Sequence, residues 1–345
     1  MSPVFLPGPE LSRALYTDAV APLLSDGPPH AAALVGPGSE VLGLDTERST
    51  DHGWGPRLQL FLPDPDDRRR VLDLLDEGLP DRVHGWPTRF TPAKDDPGTW
   101  LLDPDGRHRV EVRDLGEWLA ERLGFDPRTD AATADWLSAP TQRFAEVVGG
   151  AVFHDGHGEL TRVRRRLEWY PDDVWRYVLA CQWLRVSQEE PFPGRCAEAG
   201  DRLGARVVAA RLARDLMRLA LLLSRRYPPY SKWLGSAFSR MPEAEALTPA
   251  LSRALDADTA ALAEACSLLA AWQNRTGLAE PLDPAPRPFH GRPWPVLDAA
   301  RFTRALLDRI SDPQLAGRPP VGAVDQFVDS TDALSRPEVF RSLSP

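Results

Sequence analysis

Apolar and polar positions repeat along the first 130 residues with spacings that predict helices alternating with short strands. Apolar side chains stand three or four positions apart in residues 11–24 and 66–79, which is the period of an amphipathic helix. Residues 31–35 and 58–62 are short apolar runs that end at glycine or proline, and residues 109–113 alternate polar with apolar positions. These three segments have the pattern of strands. The pattern of the N-terminal part therefore predicts a small mixed sheet with flanking helices.

Long helical patterns replace the strand pattern from about residue 133 onward. They cover residues 174–186, 200–226 and 259–275. Between the two parts, residues 152–159 contain the sequence His-Asp-Gly-His-Gly, whose turn-forming residues favour a hairpin or a loop. The second part of the chain is therefore expected to be mainly α-helical.

The same change of pattern predicts where the chain divides. A single hydrophobic core stops growing at roughly 250 to 300 residues, and this chain has 345. We expect two domains, residues 1–132 with the sheet and residues 133–345 with the helices. The helical domain ends in a proline-rich extended strap that begins near Pro281 and carries one helix, residues 297–310. The predicted fold class is α+β.

The net charge and the cysteines indicate which class of partner and which cellular compartment to expect. The net charge of -9 lacks the basic excess that non-specific nucleic-acid binding requires, so nucleic acid is not an expected partner. Cys181, Cys196 and Cys266 are odd in number and widely spaced, which favours neither a disulfide framework nor a zinc site. The longest apolar stretch is too short to span a membrane. We expect a cytoplasmic protein that acts on a small substrate.

The candidate chemistry begins where the first predicted strand ends. Gly38, Ser39 and Gly43 belong to a glycine-rich turn, and Asp51 precedes the second strand. A turn with few side chains lets backbone N–H groups and the Ser39 hydroxyl approach a triphosphate. A carboxylate beside it can hold the magnesium ion that bridges the phosphates.

The order Gly38-Ser39, Gly43, Thr50-Asp51 resembles the signature of the nucleotidyltransferase superfamily, which includes antibiotic nucleotidyltransferases and polymerase-β-like enzymes. The resemblance implies Mg²⁺-dependent transfer of a nucleoside monophosphate from a nucleoside triphosphate to a hydroxyl of a small molecule. It also implies that Gly38, Ser39 and Gly43 bind the nucleotide. Asp51 takes the place of a catalytic residue and metal ligand.

The sequence departs from that signature at one acid. The superfamily has two acids separated by one residue and a third on a later strand, which together hold two metal ions. Asp51 matches the first acid, but Gly53 stands at the second, so that ligand is absent or is supplied by His52, Asp45 or another residue. Glu111, the carboxylate in the strand of residues 109–113, matches the third as a catalytic and metal-binding residue.

The helical half contributes one candidate cation. Two prolines, Pro228 and Pro229, end a helix, and Lys232 follows among aromatic residues. In antibiotic nucleotidyltransferases the helical domain closes over the active site and donates basic groups, so the resemblance implies a nucleotide-binding role for Lys232. The alternative is that Lys232 reaches solvent while its aromatic neighbours, Tyr230, Trp233 and Phe238, pack in a core.

A broader resemblance joins four segments, residues 38–43, 51–57, 169–175 and 230–235. Together they look like the bacterial domain-of-unknown-function family 4037, a nucleotidyltransferase-like group, over most of the chain. This resemblance supplies neither the nucleotide nor the acceptor.

Three functions follow from these observations. The first is nucleotidyl transfer to an unidentified small acceptor. The second is a nucleotide-binding or regulatory pseudo-enzyme, because Gly53 replaces an acid. The third is a nucleotidyltransferase of the toxin or antitoxin type that modifies a protein, for which no residue of the chain is distinctive.

Overall fold

A computed structural model describes residues 3–95 and 99–343. The fold is α+β, as predicted, with a mixed sheet in the N-terminal half and a mainly helical C-terminal half. The chain forms two compact units. Unit 1 holds the residues up to Ala131 together with Arg143–Glu168, and unit 2 holds Ala132–Gln142 and the residues from Trp169 onward. The boundary expected between residues 132 and 133 stays a prediction about domains.

The elements of the first half are, in chain order, α1 (Gly8–Ala14), a π-helical segment (Leu15–Val20), α2 (Ala21–Leu23), β1 (Ala31–Leu34), a 3-10 helix (Glu47–Asp51), β2 (Arg57–Phe61), α3 (Pro65–Gly78), β3 (Arg82–Val83), β4 (Trp86–Pro87), β5 (Arg89–Pro92), β6 (Trp100–Leu102), β7 (Arg107–Arg113), α4 (Leu115–Leu123), α5 (Thr133–Ser138), α6 (Thr141–Val148), β8 (Ala151–Asp155) and α7 (Glu159–Arg166). Those of the second half are α8 (Asp172–Glu189), α9 (Phe192–Glu198), α10 (Arg202–Leu223), α11 (Ser231–Ser239), α12 (Ala244–Ala254), α13 (Thr259–Arg275), β9 (Arg287–Pro288), β10 (Pro295–Val296), α14 (Ala300–Leu307), α15 (Val324–Phe327), α16 (Thr331–Ser335) and α17 (Pro337–Leu343).

The sheet of unit 1 has the strand order β6-β5-β7-β2-β1-β8. Strands β2 and β7 run parallel, and the other neighbouring pairs run antiparallel. The three strands predicted from the apolar pattern are β1, β2 and β7, which lie next to one another in the middle of the sheet. The mixed sheet is therefore confirmed.

One face of the sheet carries the main core of unit 1. Leu58 and Leu60 of β2 and Val110 of β7 are buried there with Leu11 of α1 and Leu75 of α3. Their even numbers on the strands reflect the period of two that sends alternate side chains to opposite faces. The odd-numbered positions therefore share the other face.

The strand β8 corrects the expectation of a hairpin or loop at residues 152–159. Ala151–Asp155 pairs antiparallel with β1, and Gly156 donates its backbone N–H to the carbonyl of His30 at 2.9 Å. Because β8 is an edge strand whose side chains are half-buried or exposed, its polar sequence does not show the apolar pattern of a buried strand.

Unit 2 is built around the long helices α8, α10 and α13. Two buried charged residues of α10, Asp215 and Arg218, pair with residues of other helices. Asp215 accepts from Arg185 of α8 at 3.3 Å, and the buried Arg218 donates to Asp325 of α15 at 3.0 Å. Trp183 stacks on Phe302 of α14, so α14 is a packed helix. It coincides with the helix predicted within residues 297–310.

The strap before α14 is held by a buried carboxylate. Glu190 accepts the backbone N–H groups of Leu297 and Ala299, each at 2.9 Å. Burial raises the pKa of Glu190 from 4.5 to about 7, although these two N–H groups act to lower it, and Asp298 adds to the rise. The carboxylate that holds the strap therefore keeps its proton into the neutral range.

We expect the stability of unit 2 to fall as Glu190 ionises. In the unfolded chain the residue loses its proton near pH 4.5, whereas the folded protein holds it up to about pH 7. The stabilisation is complete below pH 4.5 and is lost as the pH rises to 7, by on the order of 3 kcal/mol. Glu190→Gln should abolish this slope and leave an offset that does not depend on pH. Urea unfolding of both proteins from pH 4 to 8 measures the difference, and parallel curves would contradict the expectation.

Candidate functional site

The candidate residues of unit 1 gather at one edge of the sheet. Strand β1 ends there, and β2, β7 and β8 begin there, because β1 is antiparallel to β2 and β8 while β2 is parallel to β7. The pairing places Ala33 opposite Gln59, and Gln59 opposite Glu111. The glycine turn after β1 therefore lies at the edge where the β7 carboxylate is also found.

The glycine turn requires glycine on steric grounds. Gly36, Gly38 and Gly43 have φ values of +88°, +143° and +64°. A Cβ at Gly38 would lie 2.6 Å from both the Arg57 Nη2 and the Glu40 Oε2. Two glycines of the predicted nucleotide-binding set, Gly38 and Gly43, thus have backbone conformations that other residues rarely adopt.

A buried ion pair fixes the shape of this turn. Glu40 and Arg57 are each 3% exposed, with the Arg57 Nη2 2.7 Å and Nε 2.8 Å from the Glu40 Oε1. Arg57 also donates from Nη2 to the carbonyl oxygen of Pro37 at 2.6 Å. The first residue of β2 therefore ties both sides of the turn to the sheet.

The segment from α6 to β8 holds the turn from its other side. Gly36 donates its N–H to the carbonyl of Glu146 at 2.9 Å, and Gly150 donates to the carbonyl of Val41 at 2.7 Å. A Cβ at Gly149 would lie 2.7 Å from the Val41 carbonyl oxygen. Backbone bonds on two sides thus leave the turn little freedom to change shape.

Ser39 connects the turn with the segment that contains Asp51. Its half-buried hydroxyl lies 3.5 Å from that of Ser49, in the 3-10 helix that ends at Asp51. Asp51 itself is 57% exposed, and its Oδ1 is 2.7 Å from Nδ1 of His52. Ser39 and the Asp51 segment are therefore neighbours, while the Asp51 carboxylate faces solvent and its own neighbour in sequence.

Gly53 has a defined backbone role at the position of the missing acid. It has φ +67°, donates its N–H to the Trp100 carbonyl at 2.6 Å and accepts from the Arg109 Nη1 at 3.0 Å. A Cβ there would meet nothing within 4 Å. The surroundings of Gly53 leave room for a side chain, so its left-handed backbone conformation is the only obstacle to a substitution there.

Glu111 lies on the odd-numbered face of the sheet, half-buried and among polar neighbours. Its Oε2 is 3.4 Å from the Gln59 Nε2, and the Gln59 Oε1 accepts the N–H of Val35 at 3.0 Å. Glu111 also acts on the pKa of Arg109. Burial lowers the pKa of Arg109 to about 10, with a further decrease from Arg57, and Glu111 and Glu40 oppose that change.

Helices α4 and α6 contribute the remaining charged residues of this group. Burial lowers the pKa of Arg122 on α4 and Arg143 lowers it further, whereas Glu146, Glu111 and Glu121 raise it. Arg143 and Glu146 form an ion pair of 2.9 Å. The polar network consists of seven charged residues and one amide: Glu40, Arg57, Gln59, Arg109, Glu111, Arg122, Arg143 and Glu146.

The carboxylates do not form a metal site by themselves. Within residues 3–95 and 99–343, no group of three or more His, Cys, Asp or Glu side chains is arranged to hold a metal ion. Protein Mg²⁺ sites often use only one or two carboxylates and complete the shell with substrate phosphates and water. Glu111 and Asp51 could meet that smaller requirement, so their assignment as metal ligands stays a prediction.

Lys232 belongs to unit 2. It is exposed in the first turn of α11, with its Nζ 4.9 Å from the Trp233 ring centroid. Leu234 and Phe238 of the same helix are buried. An exposed ammonium is available to a ligand, and its predicted contact with the nucleotide stays a prediction.

Sequence reasoning missed most of the polar network. Arg57 and Gln59 alternate with leucines in β2, as Arg109 and Glu111 alternate with valines in β7. Polar residues at every second position of two adjacent inner strands are a signal of a polar patch within the sheet, since such strands are normally apolar on both faces. Only Glu111 was selected, because it alone matched a motif.

Residues 136–234 match the family model of DUF4037, a domain of unknown function. The matched segment extends from α5 to α11 and includes Lys232, whereas the glycine turn, Asp51 and Glu111 precede it. No curated protein and no solved structure matches the chain. No helix among the described residues is both long and apolar enough to cross a membrane.

We expect the Glu40–Arg57 pair to act as a unit in stability. Glu40→Leu or Arg57→Met alone leaves a buried charge without its partner and should cost about 3 to 5 kcal/mol of unfolding free energy. The double variant removes both charges, so it should be less destabilised than either single variant. Guanidinium unfolding of the four proteins gives the coupling energy, and additive losses would show that the two residues act independently.

Proposed function

We propose that this chain is a nucleotidyltransferase-like protein that transfers a nucleoside monophosphate from a nucleoside triphosphate to a hydroxyl of a small molecule with Mg²⁺. The observation that carries the proposal is the position of the glycine turn. It ends β1 at the sheet edge where β7 brings Glu111, and Ser39 links it to the Asp51 segment. The glycine turn, the Asp51 segment and Glu111 thus lie near one edge of the sheet, which supports the proposal.

The residues of this edge have separable roles in the proposal. The turn around Gly38 is fixed before any ligand arrives, and its backbone N–H groups and the Ser39 hydroxyl would receive the phosphates. Asp51 and Glu111 would hold Mg²⁺, which neutralises charge on the phosphates when bound. Lys232 keeps its assignment as a nucleotide-binding cation in this proposal. The acceptor is unidentified.

A second candidate function is nucleotide binding without transfer. Gly53 supplies no carboxylate, and the Asp51 carboxylate is exposed and paired with His52. Both observations leave Glu111 as the one candidate carboxylate that belongs to the polar network. A protein of this kind would use the bound nucleotide as a regulatory signal.

Calorimetry and turnover separate the two candidates. The wild-type protein is titrated with each of the four nucleoside triphosphates, with and without Mg²⁺, and incubated with labelled triphosphate. Binding with release of pyrophosphate supports transfer, and binding alone supports the second candidate. Absence of binding for all four triphosphates would contradict both.

Glu111→Gln should reduce the Mg²⁺-dependent part of binding and any turnover by roughly tenfold or more, because a metal ligand is replaced by an uncharged amide of equal size. Glu117→Gln is the matched control, since Glu117 is exposed on the adjacent helix α4. If the two variants behave alike in titrations at several Mg²⁺ concentrations, Glu111 is not a metal ligand.

Gly53→Asp should restore the second acid of the motif. Aspartate tolerates a left-handed backbone better than most residues, and the position is open, so we expect a loss of about 1 kcal/mol and an intact fold. Mg²⁺-dependent turnover should rise above wild type. Gly53→Asn is the control, because it has the same shape without the charge. Equal activity in the Asp and Asn variants would mean that residue 53 does not face the metal.

A further inference from the structure

Arg122 carries a donor that the protein leaves unused. Its Nε is buried and has no hydrogen-bond partner, while the guanidinium Cζ lies 5.7 Å from the centroid of the Trp118 ring. Leaving a buried donor of a charged group without an acceptor is unfavourable, and such groups in native structures have a reason. The residue as a whole is only partly buried.

The carboxylates near Arg122 already have other partners. Glu146 is paired with Arg143 at 2.9 Å, Glu111 is bonded to Gln59, and Glu121, which also acts on Arg122, is paired with Arg113. The polar network contains four arginines and three glutamates, and the adjoining Arg113–Glu121 pair is neutral, so an excess of one positive charge remains. An anion would balance that excess.

Arg122 is also connected to the glycine turn through shared neighbours. A Cβ at Gly36 would lie 3.4 Å from Cζ2 of Trp118, the ring over which Arg122 lies. The N–H of Gly36 is bonded to the carbonyl of Glu146, whose carboxylate acts on Arg122. The unused cation and the turn therefore share two neighbours, Trp118 and Glu146.

We propose that Arg122 is the arginine that binds the terminal phosphate of a polyphosphate seated at the glycine turn. Its guanidinium donates to the phosphate oxygens, which gives the unpaired donor its acceptor and cancels the positive excess of the network. That the phosphates lie at the glycine turn rests on the proposed function. The group that Arg122 recognises is a polyphosphate, whether or not it carries a nucleoside. Planar guanidinium groups suit this role because they bind phosphate through two parallel hydrogen bonds.

The test uses the full chain and two ligands, sodium tripolyphosphate and ATP, without metal. Arg122→Gln removes the charge, and Arg122→Lys keeps the charge but loses the fork of donors. Arg69→Gln on α3 is the control, because it removes the same charge from an arginine that is 80% exposed. Calorimetry gives the affinities, and a thermal melt of each protein gives its stability.

We expect Arg122→Gln to weaken tripolyphosphate binding roughly tenfold or more, with Arg122→Lys between it and wild type and Arg69→Gln unchanged. The melting temperature of Arg122→Gln should not fall, because an unpaired buried donor is lost. A merely structural arginine would show the opposite pattern, a lower melt with unchanged affinity. If Arg122→Gln does not fold, the Lys variant decides alone, and wild-type affinity in it overturns the proposal.

The outcomes also separate this proposal from the proposed function. If tripolyphosphate binds and depends on Arg122 while no nucleoside triphosphate binds, the polyphosphate site stands and the nucleotide function falls. If ATP binds equally well to Arg122→Gln, the nucleotide function stands and the role of Arg122 falls. If the wild-type protein binds no tripolyphosphate, the role of Arg122 is overturned.

Discussion

The buried ion pair between Glu40 and Arg57 is the constraint on which the candidate site depends. Two charges that are removed from water must compensate each other closely, and this pair does so with two contacts below 3 Å and a further bond to the turn backbone. The pair fills the volume next to Gly38, which excludes any side chain there. The turn, the start of β2 and the polar network consequently form one structural unit.

This unit accounts for the charged side chains of the two inner strands at this edge of the sheet. The odd-numbered face changes character along the strands. At one end Phe61 meets the Trp118 ring in an edge-to-face contact with centroids 5.4 Å apart, and at the other end Gln59 meets Glu111. The same face of β2 therefore changes from an aromatic contact at Phe61 to a polar one at Gln59, where partly buried charges interact more strongly than they would in water.

The fold was more predictable from the sequence than the site. The period-two and period-3.6 patterns identified β1, β2, β7 and the long helices because burial dictates those patterns. The same reasoning missed β8, whose exposed side chains carry no such pattern, and the partners of Asp215 and Arg218, which lie on other helices. At the site, the sequence predicted a glycine-rich turn, and Gly38 and Gly43 in that turn have positive φ. Spacing could not show that Asp51 pairs with His52, because that depends on where the 3-10 helix ends.

The late position of β8 in the sequence affects how the chain folds during synthesis. Strand β1 leaves the ribosome well before its second neighbour, β8, which follows only after α5 and α6. Until then β1 has one unpaired edge, which is a template for wrong pairing with other chains. Closing a loop of this length costs little more free energy than closing a shorter one, but the contact forms later and more slowly. A nascent chain stalled before residue 151 would therefore be prone to aggregation, and a chaperone that covers this edge would improve its yield.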